Sequence, residues 1–220
     1  MTDIYLCRHG RTQMNVAGLL RGRLDPDLDL VGHAEARDLA HQLRNVGLSR
    51  VISSPLTRAM QTARPIAEAS EVETETDERL FDRAYGQFDG HSADEVKEQY
   101  GSLDAAPGVE SAEAVADRAQ AVLDDLLAAG EEGPVAVVSH DAVIRILLDR
   151  LTPTPRHTAH VTPRTGCWSL LRHDESGWHL LMANSKDDPI EVVLAVRSVH
   201  NEQLFPEESK PWPRGVGVRP

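Results

Sequence analysis

Short apolar runs alternate along the chain with longer segments in which apolar residues recur every three or four positions. Ile4 to Cys7 is the first run; it stops at Arg8-His9-Gly10 and predicts a strand followed by a loop. Val31 to Val46 places Ala36, Leu39, Ala40 and Leu43 at helical spacing. Arg50 to Ser53 predicts a second strand. Ser54-Pro55 then predicts an N-cap and first helical position for a helix reaching about Ala69. Glu71 to Glu75 fits a third strand. Thr76 to Gly90 has no regular period and holds Gly86 and Gly90, so it reads as loop. Glu95 to Tyr100 predicts a short helix and Ala106-Pro107-Gly108 a turn.

From Ser111 to Ala128 one helical face collects Val115, Ala119, Val122, Leu123, Leu126 and Leu127. After the break at Gly133-Pro134, Val135 to Val138 is continuously apolar, as a central parallel strand requires. It ends at Ser139-His140, and Ala142 to Leu151 predicts a helix. Thr165 to His173 and Trp178 to Asn184, split by Glu175-Ser176-Gly177, predict a hairpin. Glu191 to His200 fits helix or strand equally. Residues 201–220 contain four prolines and few apolar residues, and predict a loosely ordered tail beyond one domain of residues 1–200. Strands alternating with helices imply one α/β domain with a largely parallel sheet.

Composition narrows the partners. The net charge of −12 disfavours nucleic acid and anionic membrane surfaces, although it says nothing about a local pocket. Aromatics make up 4% of the chain, so Leu, Val, Ile and Ala must fill the core. Two cysteines, Cys7 and Cys167, make no disulfide framework. Met1-Thr2-Asp3-Ile4 lacks the regions of a signal peptide, and no apolar run approaches a membrane span. A soluble, cytoplasmic protein is expected.

The chemistry-bearing residues cluster at strand ends. His9 directly follows one predicted strand and His140 another, and in an open parallel sheet the carboxyl ends of strands line one crevice. Arg8 precedes His9, and Arg58 lies in the first turn of the predicted helix after Ser54-Pro55, where unpaired N–H groups favour anions. Two guanidiniums, two imidazoles and a helix start suit a phosphoryl group. His157 and His160 stand at a spacing that suits a metal, but no Cys or third His stands at ligand spacing, so no metal site is expected. The same reading applies to His33 and His41.

Leu6-Cys7-Arg8-His9-Gly10-Arg11-Thr12-Gln13-Met14-Asn15 resembles the signature of the phosphoglycerate mutase-like histidine phosphatases. So do Leu20-Arg21-Gly22-Arg23-Leu24-Asp25, Leu30-Val31-Gly32, Ser53 to Ala63 and Val138-Ser139-His140-Asp141, in family order. The resemblance implies a three-layer α/β/α sandwich with a mostly parallel central sheet. It implies a phosphatase working without metal or cofactor on a small phosphorylated metabolite, with His9 as the nucleophile that becomes phosphorylated. Arg8, Arg58 and His140 would bind the phosphoryl oxygens, and Thr12 and Asn15 match positions near the phosphate. Leu80-Phe81-Asp82-Arg83-Ala84-Tyr85-Gly86 resembles a family segment whose glutamate is the proton donor; here that carboxylate is Asp82, one methylene shorter. Asp89 and Glu110 are the nearest rivals by sequence.

Three departures stand out. Arg11 occupies a position where relatives often have Glu or Gln, and could extend the pocket toward a second anionic group. Asp141 occupies a common glycine position and could cap the following helix. The stretch from Gly90 to Pro107 is shorter than the insertion that carries substrate-binding arginines in phosphoglycerate mutases, which favours phosphatase over mutase. Mutase-type transfer and non-catalytic ligand binding are the alternatives. Arg23, Arg83 and Tyr85, taken singly, read as solvated or structural. Specificity is expected from the loops at 11–25, 80–110 and 157–165, and residues 187–200 could supply a homodimer interface.

Overall fold

A computed structural model describes residues 1–131, 133–152 and 162–186. The expectations for His157, His160, residues 187–200 and the tail from 201 concern positions outside the described residues.

The elements run β1 (Thr2–Arg8), α1 (Gln13–Val16), α2 (Leu30–Leu43), β2 (Arg50–Ser53), α3 (Thr57–Ala69), β3 (Thr74–Thr76), α4 (Ala93–Tyr100), α5 (Ala112–Ala128), β4 (Val135–Ser139), α6 (Asp141–Leu151), β5 (Trp168–Asp174) and β6 (Gly177–Ser185). Two 3-10 turns, Glu78–Leu80 and Gly86–Phe88, interrupt the stretch after β3 that the sequence reads as plain loop. The six strands form one sheet in the order β3-β2-β4-β1-β5-β6. The first four are mutually parallel; β5 and β6 are the predicted hairpin, and β5 lies antiparallel beside β1. A bidentate pair from Arg172 to Asp3, at 2.6 and 2.7 Å, joins two residues directly opposite in that register.

Strand alternation divides the core. Ile4, Leu6, Val135 and Val137 face α5 and α6, where Val115, Ala119, Leu123, Ile144 and Leu147 pack on them. Tyr5, Cys7, Ala136 and Val138 face α2 and α3, meeting Leu39, Leu43, Ala59, Ala63 and Ile66. This is the expected three-layer sandwich. A third, smaller cluster of Leu20, Tyr85, Phe88, Val96 and Ala106 lies apart from both.

Several boundaries differ from the sequence reading. α2 ends at Leu43 rather than Val46, and Gly47 soon after adopts a φ of 76°, which turns the chain toward β2. β3 is displaced to Thr74–Thr76, because Glu71 takes a left-handed φ of 57°. α3 begins at Thr57, not at Pro55, and Ser54 is not its N-cap. Instead the Asp25 carboxylate reaches in from a distant loop, accepting the Thr57 N–H at 2.6 Å and the Thr57 hydroxyl at 2.7 Å. The one-turn helix α1 carries no buried residue, which is why hydrophobic periodicity does not reveal it.

Candidate active site

The chain leaves β1 in one direction along the sheet, forms β2 and β3, then returns to insert β4 between β2 and β1. The segments that follow β1 and β4 then diverge to opposite faces, toward α2 and α6. That divergence is the switch point at which open α/β sheets place a ligand crevice beyond their strand ends. The structure brings Arg8 and His9, at the end of β1, beside Ser139 and His140, at the end of β4: the His9 amide donates to the Ser139 carbonyl at 3.0 Å. The two imidazole rings lie 5.2 Å apart and both are fully buried. Arg58, in the first turn of α3, and Asp82, after the Glu78–Leu80 turn, complete the group; both are buried.

Each side chain is held by specific bonds. His9 Nδ1 donates to the Gly10 carbonyl at 2.6 Å, which leaves Nε2 as the ring atom with a lone pair. Gly10 packs against Gly32 at the start of α2. A Cβ on Gly10 would collide with the Gly32 carbonyl, and one on Gly32 with the Arg11 carbonyl. His140 Nε2 lies 2.8 Å from Ser54 Oγ. When the Ser54 hydroxyl donates to Nε2 while accepting the Leu56 N–H at 3.4 Å, His140 carries its hydrogen on Nδ1, the ring nitrogen on the Asp82 side. Nδ1 lies 3.9 Å from Asp82 Oδ2. Arg58 donates to the carbonyls of Leu24 (2.8 Å) and Gly22 (3.2 Å) and to Asp82 Oδ2 (3.1 Å). Asp82 Oδ1 accepts the Arg83 N–H at 2.9 Å. Arg8 donates to the Pro163 carbonyl at 2.5 Å.

The polar atoms left over define what the crevice accepts. Among the described residues, nothing hydrogen-bonds the buried Nε of Arg8, Nε2 of His9, Nε of Arg21, Nε of Arg58 or Nδ1 of His140. Four of these are N–H donors and the fifth is the lone-pair nitrogen of His9; the neighbouring Asp141 Oδ1, also unpaired among the described residues, is an acceptor. Donors converging around one nucleophilic nitrogen suit a tetrahedral oxyanion with an electrophilic centre. Burial is the main force lowering the pKa of both histidines well below the usual value, and Arg58 adds to it, so both rings are neutral. Burial pushes the Asp82 carboxyl up against the opposing pull of Arg58 and Arg21.

Not every expected residue faces the crevice in the expected way. Thr12 and Asn15 form the capping box of α1, in which Asn15 Oδ1 accepts from the Thr12 N–H and hydroxyl at 2.9 and 2.8 Å. The Asn15 amide nitrogen is not used by that box. Arg11 pairs with Asp29 at 2.8 Å rather than standing free for a second anion. Asp141 is the first residue of α6, whose N-cap position is His140, so Asp141 is not the cap; its Oδ1 is buried without a partner among the described residues. Among the described residues no three His, Cys, Asp or Glu side chains gather as a metal site, and no helix is long and apolar enough to cross a membrane.

The family model of the histidine phosphatase superfamily (branch 1) matches residues 4–186. The chain belongs to the histidine phosphatase superfamily. A probable phosphoglycerate mutase GpmB of Yersinia pestis (strain Pestoides F) is 32% identical over 190 residues, covering 81% of this chain and 88% of that one. A mycobacterial glucosyl-3-phosphoglycerate phosphatase, solved in complex with VO3, superposes with a TM-score of 0.76 at 26% identity, over 83% of this chain and 99% of that one. A phosphoserine phosphatase from Entamoeba histolytica superposes with a TM-score of 0.72 at 25% identity, over 84% and 98%. Arg21, to which sequence reasoning assigns no individual role, also stands close to the site. The charge of Arg21 acts on Arg8, His9, Arg58, Asp82 and His140 together. Its sequence signals are its place in the Leu20–Asp25 block and the following Gly22, which takes a φ of 48° and leaves no room for a Cβ beside the Asp89 carboxylate.

Proposed function

We propose that this histidine phosphatase hydrolyses a small phosphate monoester through a phosphohistidine on His9. The observation that carries the reading is His9 Nε2, a lone-pair nitrogen held neutral by burial, aligned through Gly10 and surrounded by cationic and N–H donors. Nε2 attacks phosphorus as the ester P–O bond breaks. Arg8, Arg58, Arg21 and the Nδ1–H of His140 hold the equatorial oxygens and offset the charge that develops. These fixed charges do what a metal ion does in other phosphoryl-transfer sites, so metal independence is part of the proposal. The Asp82 carboxyl gives its proton to the leaving oxygen. It then takes a proton from the water that attacks phosphorus, and the P–N electron pair returns to Nε2.

Asp82 suits that role better than its rivals. Its pKa is raised by burial, and phosphate oxygens arriving at Arg58 weaken its one ionic partner. Glu110 is held below the usual carboxylate range by Arg118 and the Ala84 N–H, although burial opposes them. Asp89 accepts the Arg23 and Tyr85 amides at 3.2 and 3.3 Å. The catalytic set is thus His9, Arg8, Arg58, His140 and Asp82, with Arg21 beside them. Thr12 and Asn15 order the loop after His9, with the Asn15 amide nitrogen available to phosphate.

The mutase reading draws on the GpmB relatives. Arg83 is buried and committed to Asp104 and to the Glu110 carbonyl rather than free to bind a phosphoglycerate, and this favours hydrolysis. The deciding assay is phosphate release from a panel of sugar phosphates, phosphoglycerates and phosphoamino acids in EDTA, for wild type and His9→Ala. EDTA-resistant release that His9→Ala abolishes is expected, together with vanadate inhibition. Phosphate transfer between phosphoglycerates without release would establish the mutase instead, and release surviving His9→Ala would remove the nucleophile assignment.

A further inference from the structure

The Asp82 carboxyl sits on an irregular stretch between two 3-10 turns, yet the backbone there is bonded at almost every residue by side chains from elsewhere. Arg118, on α5, donates through Nη1 to the carbonyls of Arg79 and Phe81, both at 2.6 Å, and through Nη2 to the carbonyl of Asp82 at 3.2 Å. The Leu80 carbonyl accepts the Ser139 hydroxyl at 2.9 Å. Ala84 is paired in both directions with Glu110: its N–H donates to Glu110 Oε2 at 3.0 Å, and its carbonyl accepts the Glu110 N–H at 2.8 Å. Glu110 in turn grips Arg118 Nε and Nη2 at 2.7 and 3.0 Å. One guanidinium therefore bridges a carboxylate and three carbonyls, with the planar fork that only arginine provides.

We propose that Arg118, oriented by Glu110, is a positioning residue that sets the reach of the Asp82 carboxyl toward the leaving oxygen. The inference rests on the reading of Asp82 as proton donor. It follows from three observations. Arg118 bonds the carbonyl of Asp82 itself and those of Phe81 and Arg79 just before it, so its hold is on the backbone that aims the carboxyl. Arg118 and Glu110 are each only 17% exposed, so water does not readily take over these bonds. And an aspartate has one methylene less than a glutamate with which to absorb a shift of its backbone. A misplacement of about 1 Å can cost on the order of a hundredfold in rate.

The experiment compares Arg118→Met, Arg118→Lys and Asp82→Asn with wild type on two probes of similar shape, p-nitrophenyl phosphate and phenyl phosphate. The nitrophenolate leaves without help; the phenolate needs a proton. For Asp82→Asn, kcat/KM on phenyl phosphate, which reports the step in which the ester bond breaks, should fall far more than on p-nitrophenyl phosphate. Arg118→Met should reproduce that selectivity with the loss on phenyl phosphate exceeding the other by roughly tenfold. Arg118→Lys should fall between it and wild type, and carries the test if the methionine variant does not fold. An equal loss on both probes in the folded Arg118 variants, beside a selective loss in Asp82→Asn, would overturn the positioning role while leaving the acid in place. No selectivity in Asp82→Asn would overturn the acid assignment, and the positioning role with it.

Discussion

Ser54 Oγ and His140 Nε2 form a fully buried hydrogen bond at 2.8 Å, joining the end of β2 to the end of β4. The serine that sequence patterning assigns to a helix cap is thereby committed to fixing an imidazole tautomer. Ser54→Ala should leave His140 Nε2 buried without a donor, at a cost of about 1–3 kcal/mol in unfolding free energy. It should also let the ring carry its hydrogen on Nε2, turning a donor away from the phosphoryl group. Urea melts and kcat/KM measure the two effects; an unchanged kcat/KM would show that the tautomer is set elsewhere.

The rate should depend on pH in a way set by His9 and Asp82. His9 must be unprotonated, and burial lowers its pKa, so the acid limb of kcat/KM should fall below the ordinary histidine value of about 6.5. Asp82 must be protonated, and burial raises its pKa, so it should supply the alkaline limb. Comparing wild type with Asp82→Asn cancels the substrate's own ionisation. The alkaline limb should disappear in the variant, and its persistence would give that limb to another group.

Stability should fall toward acid for a related reason. A histidine whose folded pKa is depressed contributes stability above its unfolded value, and loses it as pH drops from about 6.5 toward the folded pKa. His9 and His140 should each contribute a slope of up to about 1.4 kcal/mol per pH unit in that window. Asp82 acts in the opposite sense: its raised pKa favours the folded state below about 3.8 and ceases to do so as pH rises through the folded value. Denaturant melts between pH 7.5 and 5.5 should therefore show a shallower dependence for His140→Gln, and melts in the window that opens upward from about pH 3.8 a steeper one for Asp82→Asn. Parallel lines for all three proteins would refute the linkage.

The contact between Gly10 and Gly32 makes a further prediction. Gly32→Ala forces a methyl against the Arg11 carbonyl, and overpacking of this kind costs about 1–3 kcal/mol. Because His9 Nδ1 is anchored on Gly10, the same substitution should lower kcat more than KM. A stable variant with unaltered kcat would show that α2 can retreat without disturbing His9.

Much of this was readable before any coordinates. β1, β4 and α5 announce themselves because burial on one or both faces writes a period into the sequence, and His9 and His140 stand where those periods stop. Arg58 was legible as a first-turn residue of α3. What stayed hidden is whatever depends on distant pairing. Asp25 caps α3 across 32 positions, and nothing local to Thr57 hints at it. Ser54 and Arg118 are polar residues whose partners lie elsewhere in the chain, and a polar residue looks alike to periodicity whether it faces water or a buried carbonyl. The place of the hairpin, antiparallel against β1, was likewise invisible, since a period of two fixes a strand but not its neighbour.

The third cluster has a consequence for how such a protein can diversify. Leu20, Tyr85, Phe88, Val96 and Ala106 pack on one another rather than on the main layers. The two loops they join are stitched by backbone bonds from Leu20 to His91 and from Gly90 to Leu20, at 2.8 and 2.7 Å. The loop pair beside Arg58 thus carries its own packing and its own stitching. Exchanged with Arg21 and the Arg58-binding carbonyls of Gly22 and Leu24 kept, it could bring a new preference for the organic half of the substrate while the phosphoryl site keeps its chemistry, so that recognition and reaction can be inherited separately.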